Sequence, residues 1–284
     1  MGSSVRVIAA DVIRGGVDED RALEAVERAF RALARGEVVL PPPLGMELAE
    51  VAGEVHAKGA WIRGAPVFAL KVATGFYRNP ERGLPTGSGL FLVFDASTGF
   101  PLGVLDDGGY LTELRTGAAG ALAARLLAPP EPASVAFVGA GVQARFQARA
   151  LARVARWPAT RVWSRTVEQA EAFADDVVRV LGHRPAPAST VEEAVRDAEV
   201  VVTVTPSRTP LVRATWLRPD ATVIAVGSDG PEKVELEPAA LGRADKVVVD
   251  LVDQCLELGE LHHAVEAGAL KPGEVHGELG QVLV

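Results

Sequence analysis

The sequence predicts an α/β fold in two domains, and three observations carry this prediction. The 284 residues, 48% of them hydrophobic, suffice for two ordinary cores. Before a glycine-rich turn near the middle of the chain, short extended runs follow one another; after it, strands alternate with helices. Runs joined by turns favour an antiparallel sheet, whereas alternation requires crossover connections and therefore a parallel sheet.

The first part of the chain predicts an α+β domain over residues 1–115. Apolar residues at helical spacing predict an amphipathic helix, with Asp18 as its cap and Gly36 as its stop. Extended runs punctuated by Gly, Pro and Asn follow at 54–58, 67–72, 89–94 and 101–105. We therefore expect a hairpin-connected antiparallel sheet after the helix.

The second part predicts a parallel-sheet domain over residues 116–259. An Ala- and Leu-rich helix at 116–128 bridges the domains and ends at the proline-rich segment 129–132. Strands are expected at 135–138, 161–164, 199–204, 222–226 and 246–250.

The glycine-rich turn predicts a dinucleotide site and hence a Rossmann-type domain. The chain runs from an apolar strand at Ser134 into this turn and then into a helix. Gly139 permits the tight turn, Gly141 lets the backbone approach a pyrophosphate, and the small Ala144 lets the helix pack on its strand. The helix N-terminus then offers N–H groups to the phosphates.

The end of the following strand favours NADP(H) over NAD(H), which remains the alternative. An NAD site usually places an acid there, on the ribose 2′-hydroxyl. This chain has Ser164, Arg165 and Thr166 instead. A guanidinium and two hydroxyls hold a 2′-phosphate by charge-assisted hydrogen bonds, whereas a carboxylate repels it. The other interpretation, that Arg165 is only a solvated residue at a strand end, also remains open.

Composition excludes several classes of function. The net charge of −8 argues against nucleic acid as a partner. The apolar runs are too short to cross a bilayer, and Met1–Arg6 lacks the features of a signal peptide, so we expect a cytoplasmic protein without a membrane partner. Cys255 is the single cysteine, which rules out an intramolecular disulfide and a Cys-based zinc cluster. No metal site is expected.

Four residues are candidates for chemistry at the substrate or cofactor. Lys71 stands in an otherwise apolar strand, where it either meets an anion or points to solvent. Arg115, near the start of the bridging helix, can grip a carboxylate with two hydrogen bonds. Asp229 follows a strand end and can exchange a proton with a substrate amine, or serve only as an Asx-turn residue. Thr205 ends another strand at the same sheet edge and is expected to line the cofactor.

Five stretches resemble one known family, in the family's order and over nearly the whole chain. They are Phe68–Val72, Phe94–Gly103, Leu111–Ala119, Gly139–Ala144 and Val226–Leu236. The family is the ornithine cyclodeaminase/mu-crystallin family. The resemblance implies a homodimer of two-domain subunits, in which the first domain binds substrate and dimerises. It also implies NAD(H) or NADP(H) as cofactor and chemistry at an amino-acid Cα–N bond.

The resemblance also implies roles for individual residues. Lys71 matches the residue that holds the substrate carboxylate, and Asp229 the proton donor and acceptor. Arg115 matches the arginine that contacts both substrate and nicotinamide. Further cofactor contacts are expected at Thr86, Gly139, Gly141, Val142, Gln143, Ser164, Arg165, Thr166, Thr205, Val226, Ser228 and Lys233.

Two departures from the family pattern shape the functional prediction. The chain has no arginine between Arg35 and Arg63, where the family has a substrate-binding one, which argues against ornithine. Segment 260–284 is shorter than in relatives and is expected to return to the first domain. We therefore expect NAD(P)H-dependent reduction of a cyclic ketimine amino acid such as pyrroline-2-carboxylate. The alternatives are an ornithine- or lysine-type cyclodeaminase, an alanine-dehydrogenase-like enzyme, and a non-catalytic protein that binds NADPH and a small ligand.

Overall fold

The computed structural model describes residues 5–284, which form two compact units divided between Arg115 and Thr116. The first domain predicted from the sequence ends at the same residue, Arg115. The prediction that the chain has no signal peptide rests partly on residues 1–4, which lie outside the described residues. Among the described residues, no helix combines the length and apolar character needed to span a membrane.

The first unit is a mixed sheet with helices. Its strands are β1 (Arg6–Ala9), β2 (Val38–Val39), β3 (Leu44–Leu48), β4 (Gly53–Ile62), β5 (Val67–Phe76), β6 (Gly87–Asp95) and β7 (Pro101–Asp106). Its helices are α1 (Ala10–Gly16), α2 (Glu19–Ala34) and the start of α3 (Tyr110–Leu127), with 3-10 turns at Ala49–Val51 and Asn79–Arg82. The strand order is β1-β7-β6-β5-β4-β2, and β3 also pairs with β4.

The antiparallel pairing predicted for this part is confirmed. β3, β4, β5, β6 and β7 are joined by antiparallel ladders, whereas β1 pairs with β7 in parallel, which was not predicted. Phe68 and Phe94 face each other across β5 and β6 with stacked rings 5.0 Å apart. Such a cross-strand aromatic pair helps to fix the register. The Asp18 cap is also confirmed, because its carboxylate accepts from the Arg21 N–H at 3.0 Å.

The second unit contains the predicted parallel sheet. Its strands are β8 (Ser134–Val138), β9 (Ala159–Trp163), β10 (Ala186–Pro187), β11 (Val200–Thr203), β12 (Arg208–Val212), β13 (Thr222–Ala225), β14 (Val234–Leu236), β15 (Val248–Val249) and β16 (Gly277–Glu278). Its helices are α4 (Val142–Val154), α5 (Val167–Leu181), α6 (Val191–Val195), α7 (Pro238–Gly242), α8 (Val252–Cys255), α9 (Glu260–Glu266) and α10 (Leu279–Val282), with 3-10 turns at Ala214–Trp216 and Pro272–Glu274.

Five parallel strands, in the order β10-β9-β8-β11-β13, form the main sheet of this unit. Side chains on both of its faces are buried. Phe137 packs on one face in a cluster with Phe173 of α5, and Val138 packs on the other with residues of α6, α7 and α9. A parallel sheet covered on both faces is the Rossmann-type arrangement expected from the sequence.

Several boundaries differ from the sequence expectations. α3 begins at Tyr110 rather than 116, because Asp107 Oδ2 accepts from the Leu111 N–H at 2.7 Å and caps the helix earlier. The strand expected at 246–250 shrinks to β15, which pairs with β16 outside the five-stranded sheet. Segment 260–284 is assigned to the second unit, where α9 contacts α7 and β14, and its expected return to the first domain stays a prediction.

Candidate functional site

The glycine-rich turn has a shape that only glycine fits at its first position. Gly139 has a φ of 112°, and a Cβ there would lie 2.8 Å from the Val204 carbonyl oxygen. Its N–H donates to the Trp163 carbonyl at 2.8 Å, which ties the turn to the end of β9. At Gly141, by contrast, a Cβ would meet no described atom within 4 Å. The turn is therefore packed against the protein at Gly139 and open at Gly141.

Helix α4 begins at this open position. Gly141 is its N-cap residue, Val142 is 61% exposed, and Ala144 is fully buried against the sheet. The first N–H groups of a helix have no partner within the helix and carry a partial positive charge. The open cradle at Gly141 and this helix N-terminus together fit the pyrophosphate of a dinucleotide.

Arg145 braces the turn, a contact that the sequence analysis missed. Its Nη1 donates to the carbonyl oxygens of Ala140 at 2.5 Å and Gly141 at 3.0 Å. Its Nε pairs with Asp176 of α5 at 2.6 Å. The arginine-rich composition of α4 was the only signal, and it could not show which arginine folds back onto the turn.

Gln147, also missed, orients Gln143. It is fully buried, and its Nε2 donates to Gln143 Oε1 at 3.1 Å and to the Thr116 carbonyl at 3.0 Å. The two glutamines are one helical turn apart, which permits this contact. The Gln143 amide is thus held near the start of α4.

The predicted 2′-phosphate residues gather where β9 leads into α5. The Ser164 hydroxyl lies 2.8 Å from Gln169 Oε1, and the Thr166 hydroxyl caps α5 by accepting from the Gln169 N–H at 3.4 Å. Arg165 is exposed between them. Because the protein engages both hydroxyls, the guanidinium of Arg165 is the main candidate group for a phosphate.

Three more predicted cofactor residues lie at the carboxyl ends of β11 and β13. The Val226 N–H donates to the Thr203 carbonyl at 2.9 Å, which joins the two strand ends. The Thr205 methyl group would lie 3.0 Å from a Cβ on Gly139, so this edge adjoins the phosphate turn. The Ser228 hydroxyl donates to the Lys233 carbonyl. The structure therefore brings Thr205, Val226 and Ser228 to one sheet edge.

Asp229 and Lys233 form an ion pair on the loop after β13. Lys233 Nζ donates to Asp229 Oδ1 at 2.7 Å. The lysine is only 8% exposed, whereas the aspartate is exposed. His263 Nε2 also lies 3.0 Å from the Lys233 carbonyl oxygen, which holds this loop against α9. Asp229 thus has an ionic partner in addition to its position in a turn.

A fully buried carboxylate, Glu235, and a partly buried one, Glu260, lie beside this edge and were not predicted from the sequence. Burial raises the pKa of Glu235 to about 7, although hydrogen bonds from Thr203 and Thr205 lower it. Burial also raises the pKa of Glu260, against hydrogen bonds from the backbone N–H groups of Glu235 and Leu236. The signal in the sequence was an acid between two apolar residues in β14.

The remaining predicted residues lie in the first unit. Lys71 is half-buried on β5, directly opposite Lys58 on β4, a second cation that the sequence analysis missed. Residues opposite each other in an antiparallel pair share a face of the sheet, so the two cations lie on the same face. Thr86 immediately precedes β6, and its carbonyl accepts from the Phe76 N–H at 2.8 Å. Arg115 is exposed on α3.

Comparisons with known proteins find similarity along nearly the whole chain. A family model described as the ornithine cyclodeaminase/mu-crystallin family matches residues 7–284. A Rhizobium meliloti (strain 1021) protein named as a dehydrogenase is 41% identical over 280 residues, which cover 98% of this chain and 85% of that protein.

Two solved structures share the whole fold. Thermococcus litoralis Δ1-pyrroline-2-carboxylate reductase in complex with NADH and L-proline matches with a TM-score of 0.93 and 27% identity, over 98% of this chain and 86% of that chain. An archaeal alanine dehydrogenase dimer with bound NAD matches with a TM-score of 0.90 and 34% identity, over 98% and 84%.

Proposed function

The chain belongs to the ornithine cyclodeaminase/mu-crystallin family, and from this premise we propose that it reduces a cyclic ketimine amino acid, such as pyrroline-2-carboxylate, with NADPH. The chain is an enzyme of the oxidoreductase type. One observation carries the proposal: the open glycine turn and the Asp229–Lys233 pair both follow strands of one parallel sheet at their carboxyl ends. Ligands of such sheets bind at that edge. The similarity to the reductase with bound NADH and L-proline supports the choice of substrate class.

The proposed cofactor fits the residues present. Gly139, Gly141 and the N-terminus of α4 would hold the pyrophosphate, while Val142, Gln143, Thr205, Val226 and Ser228 would line the rest of the nucleotide. Arg165 would hold the 2′-phosphate of NADP(H), which is why we favour this cofactor over NAD(H). When bound, the reduced nicotinamide supplies a hydride, that is, one proton together with two electrons.

The side chains then handle charge and protons. The imine carbon gains the hydride and the imine nitrogen gains a proton, so that the C=N bond becomes a C–N single bond. Asp229 delivers that proton and recovers one from solvent, and Lys233 holds its carboxylate in place. Lys71 and Arg115 neutralise the substrate carboxylate.

Reductive amination of a 2-oxo acid is the second candidate. An acyclic imine formed from pyruvate and ammonia needs the same hydride and proton transfers. The similarity to the archaeal alanine dehydrogenase favours this alternative. Cyclodeamination of ornithine or lysine uses the same groups in a closed redox cycle, but the missing arginine between Arg35 and Arg63 argues against ornithine.

We also propose that the protein is a homodimer, as the archaeal alanine dehydrogenase is in its structure. Light scattering of the purified protein after size-exclusion chromatography tests this directly. A molar mass near twice 29.8 kDa is expected, and a mass near 29.8 kDa contradicts it.

A substrate panel tests the proposed function. The absorbance of NADPH and NADH is followed with pyrroline-2-carboxylate, piperideine-2-carboxylate, or pyruvate plus ammonia, and ammonia release is measured from ornithine and lysine. Faster oxidation of NADPH with a cyclic ketimine than with pyruvate plus ammonia supports the proposal. Turnover confined to pyruvate plus ammonia indicates an alanine dehydrogenase, ammonia release indicates a cyclodeaminase, and no turnover of any substrate contradicts all three.

A further inference from the structure

Glu235 is a fully buried carboxylate at the proposed nucleotide edge. It lies in the middle of β14, with 0% of its surface exposed. A buried charge is costly unless hydrogen bonds satisfy it. The contacts of this side chain therefore show what it holds in place.

Four hydrogen bonds reach the two carboxylate oxygens. Oε1 accepts from the Thr205 N–H at 2.6 Å and from the Thr205 hydroxyl at 2.8 Å. Oε2 accepts from the Thr203 hydroxyl at 2.8 Å and from the Gly227 N–H at 2.8 Å. Thr203 is the last residue of β11, Thr205 lies two residues beyond it, and Gly227 follows β13. One side chain thus joins the ends of two adjacent parallel strands.

Gly227, which lies beside this carboxylate, leaves no space for a larger residue. A Cβ on Gly227 would lie 2.2 Å from the Thr205 carbonyl oxygen and 2.7 Å from Glu235 Cδ. Real Cβ atoms do not approach so closely, so Glu235 and both strand ends are in direct contact. Thr205 also packs against Gly139, so the end of β11 directly adjoins the phosphate turn.

Glu260 holds β14 itself in place. This largely buried carboxylate at the start of α9 accepts from the N–H groups of Glu235 at 2.8 Å and Leu236 at 3.1 Å. The backbone of Glu235 is therefore fixed by one acid while its side chain fixes two strand ends. Strand β14 contains no predicted site residue. Its role is to hold Glu235 against the carboxyl ends of β11 and β13.

We propose that Glu235 is a positioning residue for nucleotide binding, which clamps the ends of β11 and β13 so that Thr205, the phosphate turn and the loop carrying Ser228 and Asp229 keep the shape that receives the dinucleotide. This inference rests on the proposed function. Glu235 acts through these segments, without contacting the reacting atoms.

The substitution Glu235→Gln tests the clamp with almost no change in size. The N–H groups of Thr205 and Gly227 can only donate, and they bind different carboxylate oxygens. Whichever way the glutamine amide is turned, one of these N–H groups faces an NH₂ group and loses its acceptor. Glu237→Gln is the matched control, because Glu237 Oε2 accepts from the Ala214 N–H at 2.8 Å, away from the strand ends.

Two measurements on the full chain decide the proposal. Nucleotide affinity is measured from the fluorescence of NADPH and NADH, and amide hydrogen exchange is followed at Thr205, Gly227 and Ala214. For Glu235→Gln we expect about tenfold weaker nucleotide binding and faster exchange at Thr205 or Gly227. For Glu237→Gln we expect unchanged affinity and unchanged exchange at Thr205 and Gly227, because the glutamine carbonyl oxygen can still accept from the Ala214 N–H.

A folded Glu235→Gln protein that binds nucleotide as tightly as the wild type overturns the proposal. If wild type itself binds neither nucleotide, the proposed function fails, and the clamp is judged by exchange, where unchanged rates at both Thr205 and Gly227 refute it. If Glu235→Gln does not fold, Thr203→Val removes a single donor from Oε2. It must weaken nucleotide binding by a smaller factor, and unchanged affinity again overturns the proposal.

Discussion

Lys233 Nζ lies 2.7 Å from Asp229 Oδ1, and the two residues are four positions apart in the loop that follows β13. The lysine backbone is fixed as well, since its carbonyl oxygen contacts both the Ser228 hydroxyl and His263 Nε2. The ammonium is therefore a rigid support for an exposed carboxylate. This arrangement suits a group that must meet a substrate atom in a defined direction.

Asp229→Asn removes the proposed proton donor while keeping the shape of the side chain. We expect kcat to fall by about 10²- to 10⁴-fold, the usual contribution of general acid–base catalysis. Affinity for NADPH, measured by fluorescence, stays the same. Glu232→Gln is the matched control on the same loop, because Glu232 pairs with Arg208 at 2.6 Å, and its kcat is expected to be unchanged. Normal turnover by Asp229→Asn removes the aspartate from the mechanism.

Lys71→Met tests the anchor for the substrate carboxylate. Loss of a charge-assisted hydrogen bond raises KM for the imino acid by about 10- to 100-fold. Lys58→Met, which removes the cation directly opposite on β4, raises KM less if Lys71 makes the main contact. Steady-state kinetics at saturating NADPH provide both values. An unchanged KM in Lys71→Met would mean that the lysine does not bind the substrate.

The two glycines of the phosphate turn should respond to alanine in opposite ways. Gly139→Ala forces a Cβ to 2.8 Å from the Val204 carbonyl at a φ of 112°, so thermal unfolding should shift to lower temperature. Gly141→Ala has room for its methyl group in the folded protein, so its melting temperature is retained, but the methyl group occupies the place proposed for the pyrophosphate. Its nucleotide affinity should fall. Full nucleotide affinity in Gly141→Ala would refute the pyrophosphate assignment.

Arg165→Ala tests the preference for NADP(H). Removal of the guanidinium should weaken NADPH binding by about tenfold and leave NADH binding nearly unchanged. Arg161→Ala on the preceding strand β9 is the control, since the Arg161 guanidinium donates to the Glu193 carbonyl at 2.7 Å. An NADPH to NADH ratio that Arg165→Ala does not alter contradicts the 2′-phosphate assignment.

The pKa of Glu235 predicts a specific dependence of stability on pH. Burial raises this pKa from 4.5 to about 7, so between these values the folded protein binds more protons than the unfolded chain. The free energy of unfolding of wild type should therefore fall, relative to Glu235→Gln, as pH rises from about 4.5 to about 7. The total difference is on the order of 3 kcal/mol. Urea unfolding of both proteins at several pH values measures it, and parallel pH profiles would contradict the raised pKa.

Local patterns predicted much of this fold. The Asp18 cap, the antiparallel runs and the glycine turn each depend on residues close together in sequence, and the structure confirms them. The strand expected at 246–250 was mostly wrong because an apolar run cannot reveal whether a partner strand exists. In the structure only Val248 and Val249 pair, with β16.

The candidate site could be predicted from the sequence only where a recognisable motif marks its residues. Gly139 and Gly141 stand out in the sequence because they belong to a Gly-x-Gly-x-x-Ala pattern that ends at Ala144. Glu235 does not, since its role comes from Thr203, Thr205 and Gly227, which are brought to it by the fold. Lys58 likewise gains meaning only from the register that places it opposite Lys71.

The transfer of a hydride to the carbon that bears nitrogen is the central claim, and isotope labelling tests it most directly. The wild-type protein is incubated with pyrroline-2-carboxylate and NADPH deuterated at both C4 positions, and the product is analysed by mass spectrometry and NMR. We predict proline with one deuterium at Cα. Absence of proline, or proline without deuterium at Cα, would contradict the account.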